Sequence, residues 1–209
     1  MKEQHIVVQK TARYFTLGEL NEHTKKVWFV LHGFGQMAGS FIKNFEALQN
    51  EHTFIVAPEA LNHFYLKGAG GNVGATWMTK EDRLNEIKDY TNYLDALYEQ
   101  FELEQYPETK VIALGFSQGA STVTRWANAT RHRIDTLIVY AGEVAAEVLP
   151  VSEHSPLHKT DNHYICGTQD SIFTPPLVEQ VKANYTSMNF TYTSFNGGHE
   201  IQPDTLKQF

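Results

Sequence analysis

In the middle of the chain, Gly115-Phe116-Ser117-Gln118-Gly119 follows the β-type run KVIAL and leads at once into a helical pattern. A serine flanked by glycines two residues away on either side, at a strand-to-helix turn, is the pattern of a nucleophile elbow. Such a turn forces a strained backbone on the serine, and side chains at the flanking positions would collide with it, so glycine is needed at both. A serine hydroxyl is a weak nucleophile. It needs a base to take its proton and a carboxylate to hold that base in the right tautomer. The chemistry expected of Ser117 is acyl transfer through a covalent intermediate.

In elbows of this kind the acid and then the histidine follow the serine along the chain. Of the ten histidines, His199 stands in Phe195-Asn196-Gly197-Gly198-His199-Glu200, where a glycine turn follows the last β-type run. It is the expected base. His163 begins a strand, which is the wrong end, and Pro156 separates His154 from His158, so those two do not read as a metal pair on one helix face. Asp170 in Cys166-Gly167-Thr168-Gln169-Asp170 follows the strand HYIC and precedes a helix. Asp135 and Asp161 precede strands instead, so Asp170 is the expected acid.

The tetrahedral intermediate also requires two N–H groups aimed at its oxyanion. The amide of Gln118 comes with the elbow. The second is expected from the loop after an early strand, and VWFVL runs directly into His32-Gly33-Phe34-Gly35, where glycines allow the Phe34 amide to turn toward the serine. His32 reads as support for that loop.

These groups need a frame that brings strand ends together. Candidate strands are residues 5–9 and 12–17, then VWFVL, TFIVA from Thr53, KVIALG, DTLIVY from Asp135, HYIC from His163 and NFTYTSF from Asn189. Most are continuously apolar, as strands covered on both faces are. Helical spacing runs from Glu81 to about Glu104 through Leu84, Ile87, Leu94, Leu97, Tyr98 and Phe101, and more weakly over Ser40–Gln49, Gln118–Arg131 and Pro175–Ser187. The alternation predicts an α/β fold with a doubly wound, mostly parallel sheet, helices on both faces and an N-terminal antiparallel hairpin. Chemistry in such sheets lies at the carboxyl ends of the strands. No repeat or linker divides the chain, so residues 1–209 are expected to form one domain. Residues 141–162 are too few for a cap domain over the site. Residues 59–80, with glycines at 68, 70, 71 and 74, read as a long substrate-facing loop. The apolar side chains of Phe34, Trp77, Met78, Ile172 and Phe173 are expected to wall a pocket for an acyl or aryl group.

Composition excludes several other classes. Seventeen basic residues against 24 acidic ones give a net charge of −7, the wrong sign for holding nucleic acid. One cysteine, Cys166, forms no intrachain disulfide, and no four-ligand zinc pattern is present. The longest apolar runs fall far short of the ~20 residues of a membrane span. The first 26 residues hold no apolar segment of signal-peptide length, so the chain reads as cytoplasmic.

Together, His32-Gly33-Phe34-Gly35, the elbow at Ser117, Asp170 and Gly197-Gly198-His199 resemble the carboxylesterase/phospholipase branch of the α/β-hydrolases, which includes acyl-protein thioesterases. The resemblance covers essentially the whole chain. It implies a Ser117–Asp170–His199 triad, an oxyanion hole from the Phe34 and Gln118 amides, and hydrolysis of small or medium acyl esters without metal or cofactor. Many members carry Asp where this chain has Gln36. Acyl-thioesterase or lysophospholipase activity is the alternative, and a non-catalytic binding module is disfavoured because no triad residue is missing.

Overall fold

The computed structural model describes residues 1–185 and 188–209. Its main sheet has seven strands: β1 (Tyr14–Leu17), β2 (Lys26–Leu31), β3 (Thr53–Pro58), β6 (Lys110–Phe116), β7 (Thr136–Tyr140), β8 (Asp161–Gly167) and β9 (Thr191–Phe195), ordered β1-β3-β2-β6-β7-β8-β9. All neighbours are parallel except the β1–β3 pair. The continuous apolar runs serve two cores by alternation. In β2, Val27, Phe29 and Leu31 enter one core, while Trp28 and Val30 enter the other.

Helices α2 (Arg83–Gln100), α3 (Gln118–Ala129) and α4 (Pro175–Asn184) cover the first face through Tyr90, Leu94, Val123, Trp126 and Val181. The short α1 (Ala38–Phe41), a 3-10 helix over Ile42–Leu48 and a C-terminal 3-10 turn over Pro203–Leu206 cover the second face through Phe41, Phe45, Leu48 and Leu206. Between β7 and β8 lie only short 3-10 turns at Ala146–Val148 and Pro156–His158, and no cap domain.

Register brings the site residues level. Leu31 pairs with Gly115 at the ends of β2 and β6, and Gly167 pairs with Phe195 at the ends of β8 and β9. The loops bearing Phe34, Ser117, Asp170 and His199 therefore all leave the carboxyl end of the sheet.

Three expectations are corrected. Residues 5–9 form no strand, with Ile6, Val7 and Val8 exposed, and the N-terminal hairpin does not form. β1 instead pairs with β3, Tyr14 opposite Pro58 and Leu17 opposite Ile55, because the open edge of a buried strand offers more burial than an isolated hairpin. Residues 59–80 are not an irregular loop. They hold the antiparallel hairpin β4 (Asn62–Lys67) and β5 (Gly70–Thr76), with Asn62 opposite Thr76. Helix α2 stops at Gln100 rather than near Glu104, where Glu102 takes a left-handed φ of 48°. The predicted end of the helix from Pro175 falls on residues 186–187, outside the described residues; α4 runs to Asn184.

Candidate active site

Ser117 has φ 53° and ψ −117°, a conformation that an L-residue holds only when its surroundings enforce it. Its neighbours do so. A Cβ on Gly115 would lie 2.1 Å from the Gly119 carbonyl oxygen, and one on Gly119 would lie 2.3 Å from that of Leu31. The Ser117 amide donates to the Tyr140 carbonyl at 2.9 Å, anchoring the turn to β7. The half-buried Ser117 is thereby held at the carboxyl end of β6.

His199 Nε2 lies 3.0 Å from Ser117 Oγ, and its Nδ1 lies 2.8 Å from Asp170 Oδ2. The second carboxylate oxygen, Oδ1, accepts from the amides of Ile172 and Phe173, each at 2.8 Å. Asp170 is buried, and three nitrogen donors, with the Cys166 thiol beside them, fix its rotamer. The imidazole is flanked by two aromatic rings, Phe116 at 4.8 Å and Phe173 at 6.0 Å between centroids. Near this acid, burial and the Asp170 charge push the Cys166 thiol up to about 11, so it stays protonated. A serine, an imidazole and a buried carboxylate joined in this way can move the serine proton to the ring during attack on a carbonyl.

The loop after β2 packs against the elbow. A Cβ on Gly33 would lie 3.1 Å from Ser117 Cβ, which shows how closely the two turns approach. Gly33 N–H donates to Gln36 Oε1 at 2.8 Å, Gly35 N–H to the Ala75 carbonyl at 2.8 Å, and Gln36 N–H to the Gly33 carbonyl at 3.2 Å. Among the described residues the amides of Phe34 and Gln118 have no such partner, as oxyanion donors must be before substrate arrives. Gln36, where many members of the resembled branch carry Asp, thus braces this loop. His32 is buried beneath it, its Nδ1 2.8 Å from the Gly33 carbonyl and its Nε2 accepting the Ala60 amide at 3.1 Å. That arrangement suits a neutral ring protonated on Nδ1, and burial, opposed by the Gly33 carbonyl and Glu59, lowers its pKa.

The expected pocket walls divide. Trp77 is only 1% exposed and belongs to the core: its ring packs on His32 and Tyr90, and its Nε1 donates to the His32 carbonyl at 2.8 Å. The expectation that it walls an acyl pocket is corrected, because the apolar ring finds a better partner under the loop than in solvent. Met78 is half-buried on the same core, with its sulfur 3.6 Å from Arg125 Nη1. Phe173 is buried against His199, whereas Ile172 (57% exposed) and Phe34 (60% exposed) stand open on the loops that carry Asp170 and Gly33. Phe34 meets Phe64 of β4, with ring centroids 5.0 Å apart, and Leu66 lies over Gly35, so the hairpin adds an apolar shoulder. Sequence reasoning passes over Phe116, Phe64, Leu66 and Thr76. For Phe116 the only available signal is its place beside Ser117.

Behind the hairpin, buried Glu59 pairs with Arg13 and, at 2.8 Å, with His63, and its other oxygen accepts the Ala38 amide at 3.1 Å. Burial would raise its pKa, but these partners more than offset that and hold it lowered. One group of potential metal ligands occurs among the described residues, Glu3, His5 and Asp82; it is exposed and includes none of Ser117, Asp170 and His199. No helix of the described residues is long and apolar enough to cross a membrane.

Residues 29–163 match the family model of the alpha/beta hydrolase fold, a span that includes the elbow and ends before Asp170 and His199. No curated protein matches the chain by sequence. Similar solved structures include Zea mays acyl-protein thioesterase 2 (17% identity, 95% of this chain and 96% of that chain, TM-score 0.67). A phospholipase/carboxylesterase from Dyadobacter fermentans is alike at 17% identity over 97% and 96% of the two chains, TM-score 0.66. The Bacillus cereus carboxylesterase is alike at 15% identity over 94% and 91%, TM-score 0.62. They belong to the branch that the sequence motifs resemble, and at these identities the likeness speaks for the fold. Because the family match spans well over half of its length, the chain belongs to the alpha/beta hydrolase fold family.

Proposed function

We propose that this hydrolase is a serine carboxylesterase that cleaves small or medium acyl esters through an acyl-enzyme. The observation that carries the reading is the unbroken relay from Asp170 through His199 to Ser117, at 2.8 and 3.0 Å, on a serine held at positive φ. In the first half-reaction Ser117 Oγ attacks the ester carbonyl carbon while His199 Nε2 takes the hydroxyl proton. The carbonyl oxygen becomes an oxyanion facing the amides of Phe34 and Gln118. Collapse breaks the bond to the alcohol, which leaves with the proton from His199. Water then repeats the sequence on the acyl-enzyme, giving its proton to His199, and the acid and free serine are released. Asp170 stays ionised throughout and stabilises the imidazolium.

None of these steps draws on a metal or a cofactor. Phe34, Phe64, Leu66 and Ile172 supply the apolar surface for the acyl group. That this surface is open and extends along the hairpin favours a second reading, in which longer acyl groups of thioesters or lysophospholipids are cleaved at the same serine.

The test is a panel of p-nitrophenyl esters from acetate to dodecanoate, with an acyl-CoA and a lysophospholipid in competition. Each buried methylene contributes about 0.8 kcal/mol, so kcat/KM that peaks at two to eight acyl carbons supports the carboxylesterase. A continued rise to twelve, with strong competition by the acyl-CoA, favours the thioesterase. No hydrolysis of any member would refute both.

A further inference from the structure

The two amides assigned to the oxyanion hole sit on separate loops, and the ladder aligning their strands ends before either, at Leu31 and Gly115. Beyond that point a third segment, residues 75–78 at the end of β5, joins them. On one side, Gly35 N–H donates to the Ala75 carbonyl at 2.8 Å, Ala75 N–H donates to the Gln36 carbonyl at 3.2 Å, and the Trp77 indole holds the His32 carbonyl. The approach is close enough that a Cβ on Gly74 would lie 2.5 Å from the Gly35 carbonyl oxygen.

On the other side the grip comes from the Gln118 carboxamide. Its Oε1 accepts the Trp77 amide at 3.2 Å, and its Nε2 donates to the Met78 carbonyl at 2.9 Å and to Thr76 Oγ1 at 2.9 Å. The Met78 carbonyl can only accept and the Trp77 amide can only donate, so the carboxamide is held in one orientation. Neither a carboxylate nor an alkyl chain satisfies both.

We propose that the Gln118 side chain is a positioning group for the oxyanion hole. By gripping residues 75–78 it ties its own backbone N–H, one donor, to the loop that carries the other at Phe34, and so sets the gap between them. The proposal rests on the serine-esterase reading. The carboxamide need not touch substrate; its effect is felt where charge develops on the carbonyl oxygen, and therefore in the transition state more than in the bound ester.

The test compares wild type with Gln118→Met, which keeps length and neutrality, and with Thr76→Val and Thr76→Ser. For each, kcat and KM are measured on p-nitrophenyl butyrate, together with the Ki of a trifluoromethyl ketone that forms a hemiketal oxyanion on the serine. Loss of an oxyanion donor costs about 100- to 1,000-fold, and a misplaced donor less. Gln118→Met is expected to lower kcat ~30-fold and to weaken the ketone by a similar factor. KM should stay within about twofold. The acid limb of the kcat/KM profile is expected not to move, because His199 and Asp170 are untouched. Thr76→Val should move kcat and Ki the same way by a smaller factor, and Thr76→Ser should recover most of the loss.

Wild-type kcat and Ki in a folded Gln118→Met protein would overturn the proposal. So would losses in which KM rises as much as kcat falls. If Gln118→Met does not fold, the Thr76 pair decides: equal kcat and Ki in the valine and serine variants overturns it. A wild-type protein that neither cleaves the ester nor binds the ketone would instead refute the esterase reading, whereas an active wild type with an indifferent Gln118→Met refutes the positioning role alone.

Discussion

The ring of Phe173 lies nearly parallel to the imidazole of His199, 14° between planes and 6.0 Å between centroids, while the Phe173 amide donates to Asp170 at 2.8 Å. One residue thus meets both His199 and Asp170. Replacing Phe173 by Leu keeps the amide bond and most of the apolar volume but removes the flat stop against which the imidazole rests. We expect kcat to fall about tenfold, less than the ~100-fold cost of a 1 Å misplacement, with KM little changed. Steady-state kinetics beside a thermal melt checks this; unchanged kcat in a stable variant would show that Asp170 and Phe116 orient the ring without Phe173.

Asp170→Asn should leave the fold intact, because the retained side-chain oxygen can still accept the amides of Ile172 and Phe173. The new NH2 group would face His199 Nδ1 and impose the wrong tautomer. The expected loss in kcat is about 1,000- to 10,000-fold. Ester hydrolysis within tenfold of wild type would mean that another group orients the base.

Trp77→Ala separates packing from specificity. Because the ring is buried between His32 and Tyr90, its removal should destabilise the protein by about 3–5 kcal/mol and disturb kcat for every ester alike. Urea unfolding and the ester panel test this together. A normal unfolding midpoint with KM rising only for long acyl chains would return Trp77 to the pocket wall.

Acidification should weaken the fold through His32. Its ordinary pKa is 6.5, and in the folded protein it is lower, chiefly because burial penalises the cation. Below pH 6.5 the unfolded chain binds this proton while the folded protein does not, so stability present above that pH is lost progressively as pH falls toward the lowered value. His32→Gln removes the titration. Between pH 7.5 and 5.5 the variant should lose less of its urea midpoint than wild type; equal losses would place the sensitive group elsewhere.

The parts of this molecule readable in sequence are those written locally. Gly115 is forced by contacts within five residues, whereas Gly119 is also held by the distant Leu31 carbonyl; β2, β3, β6 and β7 announce themselves by continuous apolar runs with two covered faces. Asp170 and His199 stand out by a rule of chain order together with their positions after strands. Residues 59–80 were illegible as a hairpin because Gly68, Gly70, Gly71 and Gly74 obscure the alternation, and because Gly74 is small for a distant reason, the approach of Gly35. The burial of Trp77 likewise depends on His32, 45 positions away, and the pairing of β1 with β3 on an edge that exists only once the sheet has formed. The reach of the Gln118 carboxamide to residues 76–78 belongs to the same class, since no local pattern announces it.

The central claim is that Ser117 is the activated nucleophile, and covalent labelling tests it most directly. Intact-mass measurement after incubation with an organofluorophosphonate, followed by peptide mapping, should show a single phosphonyl adduct on Ser117, with no adduct on Ser117→Ala, which lacks only a hydroxyl and keeps the elbow glycines. Absence of labelling in folded wild-type protein, or equal labelling of Ser117→Ala, would contradict the account.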